Sequence, residues 1–255
     1  MDKIYKRKAA ITCQEQLTQD IYSMWLEAKE IALSAKPGQF LSLYCNDGSR
    51  LLPRPISICE IDRTNGKLRL VYRVVGKGTK EFASYKEGST IEVMGPLGNG
   101  FYLEDGKAIL IGGGIGIPPM LELAKQLTCE KEIVLGYRNI TFLENDFLPF
   151  GRVYISTEDG SSGIKGNVID VLRNQGLTGN IIYACGPEVM LKSVKAYAME
   201  CGIKAQLSLE ERMACGIGAC LACVCRSKER DYHTNVKNKR ICKDGPVFYA
   251  EEIEL

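Results

Sequence analysis

The 255-residue sequence contains a single histidine, His233, in the polar segment RDYHTN. It reads as a surface imidazole, and no Ser-His-Asp arrangement is suggested. An excess of one charge is also missing: 33 lysines and arginines are scattered among 31 acids, a net +2. That leaves no basic stripe for nucleic acid and no charged tail for a membrane surface, so small molecules or proteins are the expected partners. The longest apolar run, Ala108 to Ala124, is interrupted by four glycines and two prolines, which excludes a spanning helix there. The opening MDKIYKRKAA is basic but lacks the apolar core of a secretion signal, so the expected location is the cytoplasm. No internal repeat or low-complexity segment is found.

Cysteine, by contrast, is plentiful. The eleven residues are an odd number. Disulfides are rare in a reducing compartment, so a local group of cysteines points to metal binding or catalysis.

From Ile4 to about Leu97 short β-type runs (the alternation from Ile21 to Leu26, then FLSLYC, ISICEI, KLRLVYRVV, TIEVMG) are separated by turn segments such as KPGQ, DGSR and RTNGK. This predicts a small barrel or sandwich. Beyond Leu97 strands alternate with helices: AILIGG, a glycine loop and a helix, then EIVLGYRN, GRVYIST, the helix GNVIDVLRNQ, the strand NIIYACG and the helix PEVMLKSVKAYAMECG. Such alternation predicts a parallel sheet with crossovers. From about residue 210 onward periodicity fades, and the segment is expected to need something other than a core to hold it. The expected fold class is therefore multidomain β + α/β, with units at 1–99, 100–209 and 210–255.

Four stretches carry chemistry. In ERMACGIGACLACVC, Cys215, Cys220 and Cys223 follow C-x4-C-x2-C, and a distant Cys242 is available. This is the plant-type spacing of a [2Fe-2S] cluster, with Gly216, Gly218 and Ala219 allowing backbone to wrap closely round it. Zinc on four thiolates is the alternative, though only Cys220/Cys223 form the C-x2-C knuckle that structural zinc sites usually show twice. Cys225 competes with Cys242 for the fourth place; RICKDGP resembles a turn that presents a thiolate, and Cys225 fits a small buried residue.

In Leu52-Pro53-Arg54-Pro55-Ile56-Ser57 an arginine stands beside a hydroxyl on a proline-bounded strand. Such a pair can neutralise a pyrophosphate and reach a heteroaromatic nitrogen, or simply lie on an edge strand. Val71-Tyr72-Arg73 leads into a turn at Gly78-Thr79 that can aim amides and a hydroxyl at phosphate, or merely join strand to helix. The loop Gly112-Gly113-Gly114-Ile115-Gly116 lies between strand and helix as a nucleotide site requires. Its partner, Cys185-Gly186-Pro187, ends another strand on the same sheet edge, which places Cys185 near a reacting nicotinamide carbon or makes it one more buried thiol. Glu158 and Asp159 disfavour a 2'-phosphate and tilt the choice to NAD, while Arg138 argues the other way.

The order of these motifs resembles the ferredoxin reductase superfamily. The whole chain, with ERMACGIGACLACVC as its most specific part, is similar to the electron-transfer subunits of NAD-linked, two-subunit class 1B dihydroorotate dehydrogenases. The resemblance implies FAD held by Arg54, Pro55, Ile56 and Ser57, by Val71, Tyr72 and Arg73, and by Gly78 and Thr79. It implies a [2Fe-2S] cluster on Cys215, Cys220, Cys223 and Cys242. NAD is expected at Gly112, Gly113, Gly114, Gly116, Cys185, Gly186 and Pro187, with Ser57 and Cys185 nearest the hydride. The implied partner is an FMN-containing dihydroorotate dehydrogenase catalytic subunit in a 2+2 heterotetramer, serving pyrimidine biosynthesis. Two rival readings are an NAD(P)H:ferredoxin oxidoreductase subunit with another redox partner and a zinc-stapled nucleotide-binding sensor.

Overall fold

The structure, a computed structural model, describes residues 3–230 and 235–255; His233 lies outside them. Six antiparallel strands, β1 (Tyr5–Gln16), β2 (Ile21–Glu27), β3 (Phe40–Tyr44), β4 (Arg54–Asp62), β5 (Lys67–Arg73) and β6 (Thr90–Leu97), close into a barrel in the order β1-β2-β5-β4-β3-β6. Alternate residues point inward, as the two-residue period of a strand requires. Met24 and Leu26, Leu41 and Leu43, Leu68 and Leu70, and Ile91 and Val93 fill the barrel with essentially no exposure. Two short helices, α1 (Lys29–Ser34) and α2 (Lys77–Ala83), cover its ends and contribute Ile31 and Phe82 to the same core.

The second unit is a seven-stranded sheet. In chain order its elements are β7 (Ala108–Gly113), a single 3-10 turn at Gly114–Gly116, α3 (Pro118–Gln126), β8 (Lys131–Tyr137), α4 (Glu144–Phe147), β9 (Arg152–Thr157), β10 (Ile164–Lys165), α5 (Val168–Asn174), β11 (Ile181–Cys185), α6 (Glu188–Cys201) and β12 (Lys204–Ser208). Strands β8, β9 and β10 lie on one side of β7, and β11 and β12 on the other, all parallel. Both faces are covered, which is why AILI is apolar at every position. Ile109 and Ile111 pack toward α5 and α6, while Ala108 and Leu110 pack toward α3 and the barrel.

The seam between barrel and sheet joins an apolar cluster, Ile21, Cys59 and Val71 against α3, to a set of polar contacts. Strand β4 outruns β3, whose last partner on it is Ser57, so its further edge would be left open. Helix α3 covers that edge: Glu122, only 2% exposed, accepts the Ile61 N–H at 2.8 Å. Burial raises the Glu122 carboxyl above its usual range, against the pull of Gln126, the Ile61 amide, Lys125 and Arg63. Alongside, Arg69 of β5 donates to Ser23 at 2.9 Å, Glu60 at 2.7 Å and Asp146 of α4 at 2.8 Å. Lys125 reaches Glu60 at 3.0 Å.

The C-terminal segment corrects one expectation, for it is not held by ligands alone. Beyond the hairpin β13 (Val224–Arg226) and β14 (Asn238–Arg240), strand β15 (Val247–Tyr249) adds antiparallel to β12 as the seventh strand of the sheet. Phe248, Ala250 and Ile253, with Ile241, Cys223 and Cys242, enter the core that α6 shares through Leu191 and Val194. These apolar positions are too few and too irregularly spaced to show a period in sequence, yet they complete a neighbour's core.

Candidate functional site

Arg54 opens β4 after a loop whose Leu51 and Leu52 are strongly exposed. Its guanidinium donates to the Leu52 carbonyl at 2.5 Å and lies across Gly78, where an added methyl group would stand 2.1 Å from Arg54 Nε. The absence of a side chain lets the first turn of α2 approach the arginine this closely, and any larger residue there would move the guanidinium. The structure thus brings together two stretches 24 residues apart in sequence, beside the exposed Val75. Thr79 departs from expectation. Its hydroxyl accepts the N–H groups of Val75 and Gly76 at 3.0 and 3.2 Å, so it holds the turn closed, and the turn's backbone rather than this hydroxyl is left to meet a phosphate.

Across the strands, Phe40 pairs with Ser57 and Ser42 with Pro55. Directly paired residues share a face, and since Leu41 and Leu43 point into the barrel, these four point outward. Ile56 instead packs against the barrel core. Tyr72 is likewise withdrawn: its ring stacks on Tyr22 at 6.1 Å and its hydroxyl accepts from Gln14 at 3.2 Å, leaving only its backbone to face outward. Val71 is buried in the seam with α3, and Arg73 is paired with Asp20 at 3.1 Å.

On the sheet, Gly112 is in register with Cys185, so both glycine loops leave the carboxyl ends of adjacent strands β7 and β11. The strand order reverses at this point, because the chain travels outward from β7 to β10 before returning to β11. Ligands of open α/β sheets bind at that switch point. A methyl group on Gly116 would lie 2.4 Å from the Cys185 carbonyl oxygen, and one on Gly113 would lie 2.3 Å from Met190 Sδ. The two loops are therefore pressed together. Burial pushes the Cys185 thiol up to about 12, partly offset by Ser208, so it stays protonated and apolar at neutral pH. Glu158 and Asp159 follow β9 on the same edge, where Asp159 caps the Ser161 N–H at 2.9 Å.

Cys215 lies beside Cys220, and Cys223 beside Cys242 with Cys215 nearby. Loop amides bind the groups together: Ala219 N–H points at Cys215 Sγ at 3.3 Å, Gly218 N–H at Cys242 Sγ at 3.1 Å, and Cys242 N–H at Cys223 Sγ at 3.4 Å. Burial works to raise the Cys215 thiol, but the amides of Ile217, Cys220 and Ala219 and the Cys220 side chain outweigh it and bring it down to about 6. Cys242 is pushed up to about 12 by burial and by Cys223 and Cys215 nearby. Positive φ at Gly216 and Gly218, +71° and +82°, turns the amides inward.

Cys242 is presented by a turn in which Asp244 binds the Arg240 guanidinium at 2.9 and 3.0 Å, while Arg240 also reaches the Gly218 carbonyl at 3.2 Å. Cys225 is placed differently, on β13 opposite Lys239 and lining a cavity of about 350 Å³ with Pro187, Leu191 and Arg226. Among the described residues no three His, Cys, Asp or Glu side chains gather round one point as a single ion requires. Four cysteines are still gathered by one loop and one turn, a donor set that fits an iron-sulfur centre.

Sequence reasoning missed Ser42, whose hydroxyl is buried against the cysteine loop, and the Glu122 and Arg69 contacts that fix the two larger units. Neither carries a motif, and only their burial as polar residues marks them.

Comparison with known proteins agrees with this geometry. Residues 210–254 match the family described as the iron-sulfur cluster binding domain of dihydroorotate dehydrogenase B, and residues 8–102 match the oxidoreductase FAD-binding domain. The chain is 43% identical to the electron transfer subunit of dihydroorotate dehydrogenase B (NAD(+)) from Fusobacterium nucleatum, over 94% of this chain and 95% of that protein. It is 42% identical to the corresponding subunit from Caldanaerobacter subterraneus, over 98% of each. Among solved structures, an NADH-dependent reduced ferredoxin-NADP oxidoreductase studied for flavin-based electron bifurcation superposes with a TM-score of 0.84 at 30% identity, covering 96% of this chain and 89% of that one. A flavohemoglobin from Malassezia yamatoensis shares the fold, with a TM-score of 0.66 at 22% identity over 78% of this chain and 57% of that one.

Proposed function

The chain belongs to the family of dihydroorotate dehydrogenase B electron-transfer subunits, and from that premise we propose that it carries electrons from dihydroorotate, oxidised in a separate FMN-containing subunit, to NAD+ by way of a [2Fe-2S] cluster and FAD. Units 1–99, 100–209 and 210–255 are assigned to FAD, NAD and the cluster. A flavin is the group that exchanges a hydride with nicotinamide on one side and single electrons with an iron-sulfur centre on the other.

The residues divide the work. Arg54 neutralises the diphosphate while the backbone at Gly78 and Thr79 borders it, and Pro55 and Ser57 offer the outward face of β4 to the ring. The glycine loops at Gly112 to Gly116 and Cys185 to Pro187 admit the dinucleotide close to backbone, with Cys185 as a neutral, apolar neighbour of the reacting carbon. The protein supplies position rather than acid-base chemistry. Cys215, Cys220, Cys223 and Cys242 hold the cluster.

One observation carries this reading. The cysteine loop rests directly on the barrel strand next to β4, since a methyl group on Gly216 would stand 2.8 Å from Ser42 Oγ and 3.4 Å from Leu97. This contact supports a reading in which donor and acceptor for single electrons sit close together within one chain.

No helix among the described residues is long and apolar enough to cross a membrane; the proposed setting is the cytoplasm, with two copies of this chain flanking a dimer of the catalytic subunit. The test is iron, sulfide and flavin analysis of the anaerobically copurified complex, followed by NAD+ reduction with dihydroorotate. Both cofactors and dihydroorotate-dependent NADH formation are expected; a colourless protein, or one reduced only through a ferredoxin, refutes the assignment.

A further inference from the structure

Ser42 stands out in the barrel wall. Its hydroxyl is buried, with the residue 1% exposed, and it has no hydrogen-bond partner among the described residues. A buried hydroxyl left unpaired is unfavourable, and an alanine would fill the site without that cost. Its neighbours cannot relieve it. Across β4 stands Pro55, which has no side-chain donor or acceptor, and across β6 stands Met94, whose sulfur already accepts weakly from Tyr44. What covers it is Gly216, the residue directly after Cys215, so close that a methyl group there would meet Ser42 Oγ. The hydroxyl thus points into the junction between the outward face of β3 and β4 and the cysteine loop.

Resting on the cluster assignment above, we propose that Ser42 donates a hydrogen bond from the barrel to the sulfur of the iron-sulfur centre on its Cys215 side, and so acts as a positioning residue that sets the potential of that centre. The loop's own amides reach Cys215 from Ile217 and Ala219, within the cysteine segment itself. Ser42 is a donor supplied by the flavin-binding unit. A donor aimed at sulfur stabilises the reduced, more negative centre and raises its potential. The barrel thereby tunes the acceptor that its bound flavin must exchange electrons with. Acceptors at this junction are of two kinds, a sulfur or a flavin oxygen, and contact with the residue next to Cys215 favours sulfur.

The test uses the anaerobically purified complex with its catalytic partner, comparing wild type, Ser42→Ala and Ser42→Thr. The cluster is titrated by its paramagnetic signal and the flavin by its visible bands. Ser42→Ala is expected to shift electron partition away from the cluster about tenfold, a fall of about 59 mV for a one-electron couple. The flavin midpoint should stay in place, and Ser42→Thr, which keeps the hydroxyl, should restore the wild-type value. An unmoved cluster midpoint in protein of normal iron and sulfide content overturns the proposal, as does a shift confined to the flavin. Absence of iron from the wild type instead overturns the functional reading beneath it. Should Ser42→Ala fail to load its cluster, deuterium couplings to the reduced wild-type cluster in D2O decide, and the lack of an exchangeable deuteron beyond those of the loop amides refutes the contact.

Discussion

The barrel meets its two neighbours through seams that differ in how their buried polar groups are satisfied. Against the parallel sheet it presents Ile61 and Arg69 to Glu122 and Asp146, and each buried polar group there has a partner. Against the C-terminal segment it presents Ser42 and Leu97 to Gly216, where the Ser42 hydroxyl has no partner among the described residues, while Asn99 at the barrel's end donates to the Lys243, Asp244 and Gly245 carbonyls. A seam of paired charges fixes orientation, because separating it strands desolvated groups. At Gly216 itself, close contact with little polar pairing gives proximity and leaves the loop's orientation to whatever it encloses. The first seam suits the proposed placement of nicotinamide and flavin on two units held in fixed relation. The second suits a centre that only needs to be near.

The largest effect comes from removing a proposed cluster ligand. Cys220→Ser is expected to abolish the paramagnetic signal of the cluster and to speed amide exchange through residues 215–225, while exchange in β4 to β8 is unchanged. Uniform loss of protection would show that the seams are not independent.

Next comes Arg69→Ala, which leaves Glu60 and Asp146 facing each other across the polar seam. A loss of about 3 kcal/mol is expected in denaturant titration, since one partner of a largely buried ion pair is removed. Arg69→Lys should recover only part of it, because a single ammonium cannot reach Ser23, Glu60 and Asp146 together.

Gly116→Ala tests the sheet edge rather than the seams. Its methyl group must displace the Cys185 carbonyl, so NADH should bind at least tenfold more weakly while flavin and iron contents are kept. Unchanged NADH affinity would remove these loops from the nucleotide site.

The smallest effect is Glu122→Gln. The amide oxygen still accepts from Ile61, and the raised carboxyl pKa means the folded state binds more protons than the unfolded one above the ordinary value of 4.5. Stability therefore declines as pH rises from 4.5 toward the raised folded value, and that decline should be missing in Glu122→Gln. Thermal unfolding of both proteins between pH 4 and pH 7 measures it. A steeper decline in the glutamine variant would show that the ion pairs with Arg63 and Lys125 outweigh burial.

Legibility followed locality. The strands of the barrel, the β7 loop, the β11 loop and the cysteine spacing were readable because each depends on neighbours a few residues away: alternation, a glycine before a helix, a C-x4-C-x2-C interval. At Thr79 sequence left two roles open, and its hydroxyl serves its own turn, because a threonine at a helix start does this as readily as it meets a ligand. The C-terminal core was invisible for another reason. Phe248 and Ile253 are buried only because β12 and α6, 40 to 65 residues earlier, leave a place for them.

The sequence by itself determined which chemistry the chain can hold: sulfur at plant-type intervals, an arginine and serine on one strand, and glycines where strands pass into helices. These are statements about adjacent residues, and chain geometry enforces them wherever the segment sits. Tertiary structure alone decided that Gly216 lies on Ser42, that Arg54 crosses Gly78, and that Glu122 closes the edge of β4. Those contacts join residues 24 to 174 positions apart. They exist only after barrel, sheet and loop have packed, because no local preference encodes a distance between segments that meet through a shared core.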